Sequence, residues 1–424
     1  MRKYQQLLLL IVSFFCFFSF LFYRHEYLKL KSVLFYLNFF GRPPISNSSC
    51  IVFRSDFKES QVHKYNFLEP RSSWTKIENH YIYSSFWEDT EDGGYVRTLA
   101  IGPISSFSNY KCRVWFEEGD IIKSAPGTFK YDLDAQSKTN KGKNSLRKYF
   151  LKCHVKNNPD RGAPYGVLWV TPSNLDNVFS PLFIKPKAFV GPVICVKPDY
   201  SGYSKTNIIE FISFYSKIGV SNFIIYDAGI QHSLFPFLES VTSRGDILQS
   251  FSVLSWNFPE KDSKLESLSI KDDCSSRTFG ASKLVGIVSW NEYIIPTRGN
   301  ISTLTRNAAA NLINLSFNTW LCCTNFPDDK LSLRSWPLFL RKTRCIQESP
   351  QETVLINLKS YIKVRQSMNY EMPSKIVTKR RYDTCIMLPA KPLETPVLSN
   401  FTDVASHQLL LLWKTHLNTS AIFN

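Results

Sequence analysis

Alternating strand and helix patterns near the middle of this 424-residue chain most constrain its fold. Val193–Val196 is wholly apolar, which is typical of a strand that is buried on both faces. Asn207–Ile218 has apolar residues at helical spacing, and Asn222–Tyr226 follows as a second strand. Such a βαβ unit predicts a parallel sheet.

The same alternation continues toward Val288. The pattern predicts a helix, a strand, a helix and a strand in turn, over His232–Val241, Ile247–Trp256, Leu265–Lys283 and Leu284–Val288. Alternation of this kind indicates a doubly wound, Rossmann-like α/β domain, which we assign to residues 190–424.

Ligands of such sheets bind beyond the carboxyl ends of the strands. Four segments lie there, namely Lys197–Tyr203, Asp227–Ile230, Asn257–Lys261 and Ser289–Glu292. The segment after the first strand has no Gly-x-Gly-x-x-Gly fingerprint, and the chain has no P-loop and no Gly-x-Ser-x-Gly elbow. These absences argue against NAD enzymes, kinases and α/β-hydrolases.

An apolar run near the N-terminus predicts a membrane anchor. Leu7–Tyr23 carries no charge and reaches the short end of a bilayer-spanning helix. Bulky residues run straight into Arg24, so a signal-peptide cleavage site is missing and an uncleaved anchor is the better interpretation. Residues 1–6 then form a cytoplasmic tail, and residues 24–72 form a stem.

Sequons and cysteines predict that the bulk of the chain is lumenal. Nine of ten cysteines follow the anchor without metal-site spacing, which favours disulfides in an oxidising compartment. We therefore expect a single-pass type II protein of the Golgi or ER membrane. The candidate glycosylation sites are Asn47, Asn300, Asn314, Asn400 and Asn418.

Residues 73–189 form a mostly β lumenal subdomain by their pattern. Strand-like runs occupy Tyr81–Phe86, Tyr95–Ile101, Cys112–Phe116 and Tyr165–Val170. The net charge of +16 is spread along the chain, with clusters at Lys138–Lys148 and Lys379–Arg381 that we interpret as solvated faces. No nucleic-acid-binding motif accompanies this charge, so nucleic acid is not an expected partner.

An ordered series of short motifs resembles family 92 glycosyltransferases, which are type II Golgi proteins that include galactosyltransferases. The similar segments are Tyr83–Glu88, Val96–Ala100, Cys112–Trp115, Cys153–Val155, Cys195–Pro198, Glu210–Ile212, Gly219–Tyr226, Trp256–Pro259 and Asp273–Arg277. The resemblance implies a GT-A-like fold, a UDP-sugar donor, a glycan acceptor and a Mn²⁺ or Mg²⁺ ion. It is thin beyond Thr297.

The resemblance also implies site residues in the segments beyond the strands. The nucleotide-sugar-binding candidates are Lys197, Pro198, Tyr226, Asp227, Arg277, Ser289 and Asn291. Glu292 is the candidate catalytic residue, with alternative roles as a metal ligand beside Asn291 or as a structural cap of the strand end. Asp227 either binds ribose or base or caps the next helix. No catalytic base is identified.

One departure from the family pattern puts catalysis in doubt. The family's metal segment reads Asp-x-Asp-Glu, but here Ser289 and Asn291 replace both aspartates. The loss of two charges weakens divalent binding, because hard cations prefer carboxylate oxygens. Either a basic side chain replaces the metal, with Arg277 or Lys283 as candidates, or catalysis is lost.

Other paired carboxylates are poorer metal candidates. They are Asp132 with Asp134, Asp272 with Asp273, and Asp328 with Asp329. We predict the first pair in a solvated turn and the other two on the surface, since a metal site needs a rigid, partly desolvated frame.

Two main hypotheses of function result. The favoured one is an inverting hexosyltransferase, with galactose as the expected sugar. The alternative is an inactive paralogue that binds glycans or partner enzymes, and a membrane-anchored adhesion protein is a third reading. Oligomeric state is not specified by the sequence.

Overall fold

The structure is a computed structural model that describes much of the chain after residue 60. The described residues are 61–63, 73–90, 93–103, 107, 109–118, 121–134, 146–156, 163–172, 177–183, 189, 191–200, 202–228, 234–260, 262–297, 299–305, 314–348, 355–357, 369–385, 393–395 and 398–422. They lie in one compact unit formed by Ser55–Lys64 and Ser72–Asn424.

The predicted anchor Leu7–Tyr23 and the predicted stem lie outside the described residues, apart from Gln61–His63. Within the described ranges, no helix has both the length and the apolar character that a membrane crossing requires.

Strands in the first part of the chain pair into an antiparallel sheet. Its described members are β1 Gln61–His63, β2 Thr75–Ile77, β3 His80–Thr90, β4 Gly93–Gly102, β5 Lys111–Glu118, β6 Ile121–Leu133, β7 Arg147–Lys156, β8 Ala163–Val170 and β9 Val178–Pro181. Their order is β2-β3-β4-β7-β6-β5-β8-β9, with β1 beside β6. The β-rich character predicted for residues 73–189 is confirmed, while the division of the chain at residue 190 stays a prediction.

The next elements alternate as predicted. They are β10 Val193–Val196, α1 Lys205–Lys217, β11 Asn222–Asp227, α2 Phe235–Arg244, β12 Ser250–Ser255, α3 Ser263–Thr278 and β13 Leu284–Val288. β10 pairs in parallel with β11 and with β13, and β11 pairs in parallel with β12. The resulting order β12-β11-β10-β13 is that of a doubly wound sheet.

The remaining elements extend this sheet and build a smaller one. They are β14 Glu292–Pro296, β15 Asn314–Phe317, β16 Thr319–Cys323, α4 Leu338–Arg341, β17 Arg344–Glu348, β18 Leu355–Asn357, β19 Asn369–Met372, β20 Val377–Asp383, β21 Leu393–Glu394 and α5 Gln408–Ile422. β18, β15 and β19 continue the parallel sheet beyond β13. The smaller sheet has the order β14-β20-β16-β17-β21.

Helix α1 begins earlier than its pattern suggested. Ser204 is the N-cap, and its hydroxyl accepts the backbone N–H of Asn207 at 3.2 Å. Glu210 is buried and accepts the N–H of Leu338. Gly219 follows the end of the helix, and its φ of 90° lies in the left-handed region that glycine tolerates.

Four disulfides join described cysteines. The pairs are Cys112–Cys153, Cys195–Cys274, Cys322–Cys345 and Cys323–Cys385. The neighbours Cys322 and Cys323 thus have separate partners. This pairing is consistent with an oxidising compartment.

The antiparallel sheet and the parallel sheet share a buried aromatic core. Trp74 and Tyr83 pack against Trp256, with ring centroids 5.6 and 4.9 Å apart. The Tyr83 hydroxyl donates to the carbonyl of Ser255 at 3.1 Å. Asn257 accepts the N–H of Trp74 at 2.8 Å and donates back to its carbonyl at 3.1 Å. Side chains of both sheets are therefore buried against each other.

A fully buried carboxylate lies beside this core, on α3. Asp273 accepts hydrogen bonds from Ser84 of β3, from the hydroxyl of Tyr226 at 2.7 Å and from Arg277 at 2.6 Å. The guanidinium of Arg277 also lies 4.6 Å from the ring centre of Phe183. The prediction that Asp273 is a surface carboxylate is therefore wrong, because three donors from three elements stabilise its buried charge.

Ion pairs bear on the predicted solvent exposure of the other paired carboxylates and of the Lys138–Lys148 cluster. Lys148 is buried and pairs with Asp272 and, at 2.9 Å, with Asp134, so this end of the Lys138–Lys148 cluster is no solvated face. Asp132 lies in β6 rather than in a turn, although it is exposed and pairs with Lys152. Asp328 and Asp329 do lie in a loop, where Asp328 pairs with Arg341 and Lys342.

The predicted sequons occupy different kinds of structure. Asn300 is exposed just before the 3-10 turn Ile301–Thr305, and Asn400 is exposed within the turn Ser399–Ser406. Asn314 begins β15, and Asn418 lies in α5. Asn47 lies outside the described residues, and glycosylation of all five stays a prediction.

We expect Asp273→Ala to lower the free energy of unfolding by about 3–5 kcal/mol, because it leaves Arg277 buried without its carboxylate. Asp403→Asn is the control, since Asp403 and Lys217 form an exposed pair whose loss costs less than ~1 kcal/mol. Urea unfolding of the full chain with its disulfides intact, followed by tryptophan fluorescence, gives both values. Equal losses in the two variants would contradict a stabilising role for Asp273.

Candidate functional site

The carboxyl ends of the four parallel strands meet at one edge of the sheet. β10 ends at Val196, β11 at Asp227, β12 at Ser255 and β13 at Val288, so the four predicted segments follow these ends. In open α/β sheets this edge is where ligands bind. The candidate site is therefore where the strand pattern predicted it.

Glu292 forms the link between the parallel sheet and the smaller sheet. Its backbone N–H donates to the carbonyl of Ser289 at 3.0 Å, and the N–H of Ser289 donates to its carboxylate at 2.9 Å. These two bonds close a tight turn between β13 and β14. The hydroxyl of Tyr215 adds a bond to the carbonyl of Glu292 at 2.9 Å. Glu292 is buried, with 6% of its surface exposed.

Lys379 is the side chain that contacts the other carboxylate oxygen of Glu292. Its ammonium nitrogen lies 2.7 Å from Oε1, and its side chain is 5% exposed. β20 runs antiparallel to β14, with Lys379 opposite Ile294, and this register carries Lys379 to Glu292. The prediction that Lys379–Arg381 is a solvated face is therefore wrong for Lys379 and Arg380, which are both buried.

Lys197 is the third charged residue of the site. Its backbone N–H donates to the carbonyl of Val288 at 2.8 Å, which extends the β10–β13 pairing by one residue. Lys197 and Ser289 therefore follow neighbouring strand ends. Lys197 is partly exposed, unlike Lys379.

The surroundings of Glu292 keep it charged. Burial raises its pKa, but the charges of Lys379 and Lys197 and the hydrogen bonds from Lys379 and Ser289 outweigh burial, so the net pKa is lowered. A carboxylate with a lowered pKa and both oxygens engaged is a weak general base. The arrangement suits Glu292 for orienting lysine side chains rather than for removing a proton.

Other predicted site residues follow the strand ends but differ in exposure. Pro198, Ser289 and Asn291 are partly exposed beside Lys197 and Glu292. The carbonyl of Asn291 accepts the N–H of Tyr382 at 2.9 Å, which ties the segment to β20. Asp227 is the last residue of β11, one residue beyond the predicted end of the strand, and it is 2% exposed, with its carbonyl accepting the N–H of Trp256.

Three of the predicted site residues do not lie with the partly exposed residues around Lys197 and Glu292. Tyr226 and Arg277 are fully buried around Asp273, so in this conformation neither reaches a nucleotide sugar at the edge. Lys283 is exposed, but it precedes β13 and lies at the opposite, amino end of the strand. Lys379 and Lys197, rather than Arg277 and Lys283, are the cations that act on Glu292.

The residues at the edge do not fit a divalent cation. Asn291 and Glu292 supply a single carboxylate, and both of its oxygens already accept hydrogen bonds. Elsewhere in the described ranges, no group of three His, Cys, Asp or Glu residues is placed to hold a metal. Mn²⁺ and Mg²⁺ prefer carboxylate oxygens, and the Glu292 carboxylate is already engaged by Lys379 and Ser289, so a metal bound through Asn291 and Glu292 stays a prediction.

Comparison with known proteins identifies a family for part of the chain. Residues 191–386 match the family model of glycosyltransferase family 92, and this span contains Lys197, Glu292 and Lys379. The predicted resemblance is thereby confirmed.

Solved structures give a weaker likeness, and no curated protein matches the chain. Nine chains of solved structures match. One is the crystal structure of an active-site mutant of LgtC, with 11% identity and a TM-score of 0.23, covering 41% of this chain and 59% of that one. The present chain thus spans less than two thirds of that structure.

Stability should depend on the charge of Glu292. A carboxylate with a lowered pKa in the folded protein stabilises the fold at neutral pH, and this contribution disappears as the pH falls through the lowered pKa. We therefore expect Glu292→Gln to lower the melting temperature at neutral pH and to have progressively less effect below the ordinary glutamate range. Calorimetric scans of the wild type and the variant from neutral to acidic pH measure the two melting temperatures. A difference in melting temperature that does not change with pH would contradict a stabilising role for the Glu292 charge.

Proposed function

We propose that this chain, whose residues 191–386 match the family model of glycosyltransferase family 92, transfers a hexose from a nucleotide sugar to a glycan acceptor. The observation that carries the proposal is the position of Lys197 and Glu292 at the carboxyl edge of a β12-β11-β10-β13 parallel sheet. The family match spans this edge. Galactose is the hexose we propose, and UDP is the nucleotide.

The proposed reaction inverts the anomeric centre. A hydroxyl oxygen of the acceptor bonds to the anomeric carbon and releases its proton to water, while the bond from that carbon to the diphosphate oxygen breaks and its electron pair stays with the diphosphate. Positive groups that face the developing charge stabilise such a transition state. Lys197 is the partly exposed cation next to the strand ends that meets this requirement.

We also propose that the protein works in the secretory pathway as a type II membrane protein. The support comes from the uncharged run Leu7–Tyr23, from five sequons and from four disulfides. A GT-A-like organisation of residues 190–424 is part of the same proposal. It is supported by the parallel strand order and the family match.

The second candidate is an inactive paralogue that binds glycans or partner enzymes. One observation favours it, because the carboxylate expected to serve a metal is instead held by Lys379. An inactive paralogue retains the fold and loses only the turnover, so it is distinguished by kinetics rather than by structure.

We expect the purified full-length protein to convert UDP-galactose and an N-glycan acceptor into UDP and a galactosylated glycan. Mass spectrometry of the glycan and an assay of released UDP measure the two products, and a reaction without acceptor is the control. Donor binding without glycan modification over a broad acceptor panel would favour the inactive paralogue. Absence of both binding and transfer with all UDP-sugars would overturn the proposed function.

A further inference from the structure

The loop after β16 leaves the smaller sheet at the same end of the molecule as Glu292. β20 runs antiparallel to β14, and Arg381 near the end of β20 lies opposite Glu292. β16 runs parallel to β20, with its last residue Cys323 opposite Asp383. The N–H of Thr324 donates to the carbonyl of Asp383 at 2.8 Å. In the order β14-β20-β16, the loop therefore begins two strand spacings, ~10 Å, from the strand that Glu292 opens.

Hydrogen bonds hold the middle of this loop, residues 328–336, which we call the leucine loop. The N–H of Asp329 donates to the carbonyl of Arg341 at 2.8 Å. The carboxylate of Asp329 accepts the N–H of Leu331 at 2.8 Å. At the other end of the leucine loop, the guanidinium of Arg341 donates to the carbonyl of Trp336 at 2.9 Å. The leucine loop is therefore fastened at both ends to the residues around α4.

Two leucines of the leucine loop are exposed to solvent. Leu331 is 82% exposed and Leu333 is 58% exposed, and among the described residues no other large hydrophobic side chain is as exposed as Leu331. Single exposed leucines are ordinary on protein surfaces, but two on one hydrogen-bonded loop form an apolar surface next to the candidate site. A loop that is already fixed loses little conformational freedom when a partner binds to it.

Cations flank the two leucines. Lys330 and Arg334 are both exposed. The carboxylates of the loop are engaged within the protein, since Asp328 forms ion pairs with two cations beside α4 and Asp329 accepts a backbone N–H. With these cations included, residues 328–342 carry four basic and two acidic side chains. The leucine loop thus suits a partner that offers apolar and acidic groups together.

A polypeptide fits the leucine loop better than a lipid bilayer does. A bilayer against this loop would cover the end of the molecule at which the nucleotide sugar has to enter. The proposed topology also places the loop on the lumenal side, whereas the anionic lipids that attract basic segments lie in the cytoplasmic leaflet. A polypeptide supplies apolar side chains and carboxylates within a few residues of each other.

We propose that the leucine loop binds the polypeptide that carries the acceptor glycan. Leu331 and Leu333 contact its apolar side chains, and Lys330 and Arg334 attract its acidic side chains. The acceptor is then a glycoprotein with apolar and acidic residues near its glycan, rather than a free oligosaccharide or a glycolipid. This inference rests on the proposed function, because it names the acceptor class for that reaction.

The first test compares one N-glycan as the released oligosaccharide and on a peptide with leucine and aspartate beside the glycosylated asparagine. With UDP-galactose, we expect the full-length protein to show a kcat/KM about tenfold higher for the glycopeptide, as partial burial of two leucine side chains would give. Leu331→Ser combined with Leu333→Ser should raise the KM for the glycopeptide about tenfold and leave kcat/KM for the free glycan unchanged. Leu133→Ser is the control, since Leu133 is an exposed leucine of β6 in the antiparallel sheet.

The second test isolates the two cations. Lys330→Gln combined with Arg334→Gln should lower kcat/KM about threefold for the glycopeptide that contains aspartate, the size of effect expected for exposed ion pairs. For a glycopeptide with serine in place of aspartate, kcat/KM should stay unchanged. Added salt should reduce the preference of the wild type for aspartate in the same way, because it screens exposed charges.

The outcomes distinguish this inference from the function it rests on. A glycopeptide no better than the free glycan, or an unchanged glycopeptide KM in the leucine double variant, would overturn the inference and leave hexose transfer standing. A higher kcat/KM for the same glycan on a lipid in phosphatidylcholine vesicles would also overturn it.

If no acceptor is modified, the proposed function fails, and fluorescence anisotropy of the labelled glycopeptide tests the leucine loop without turnover. Weaker binding by the leucine double variant than by Leu133→Ser would support the loop as a polypeptide-binding site. Equal binding by the two variants would overturn the inference as well.

Discussion

The buried carboxylate of Asp273 connects the main parts of this protein. It lies on α3 and accepts hydrogen bonds from Ser84 of β3, from Tyr226 of β11 and from Arg277. A buried charge is stable only when nearby groups satisfy it, so the antiparallel sheet, the parallel sheet and α3 must keep this arrangement together. Burial and the Asp273 charge raise the pKa of Tyr226, so its hydroxyl remains a donor.

The same helix is coupled to the candidate site by a covalent bond. Cys274 follows Asp273 directly, and its disulfide with Cys195 joins α3 to β10. Lys197 comes two residues after Cys195, at the end of that strand. The network around Asp273 therefore supports the position of Lys197 without contacting a ligand itself, which explains why Arg277 belongs to the frame of the site rather than to its surface.

At the site, an ion pair stands where the family pattern has a cluster of carboxylates. Ser289 and Asn291 replace two aspartates, and Lys379 pairs with the glutamate that remains. The ammonium group of Lys379 neutralises the one carboxylate that remains. Sequence comparison of the short motif alone shows only the loss, since the compensating lysine lies on a distant strand.

The sequence by itself determined the alternating strands and helices of residues 193–288 and the edge at which Glu292 lies, and its motifs indicated a resemblance to glycosyltransferase family 92. Local periodicity reports which face of a segment is buried, and residues 193–288 carry that signal clearly. It did not determine the partner of any buried charge. The pattern predicts a solvated face at Lys379–Arg381, where Lys379 and Arg380 are buried, and a ligand-binding role for Arg277, which is buried beside Asp273. Only the tertiary structure decided these points, because the partner of a buried charge depends on strand register and helix packing between segments far apart in the chain.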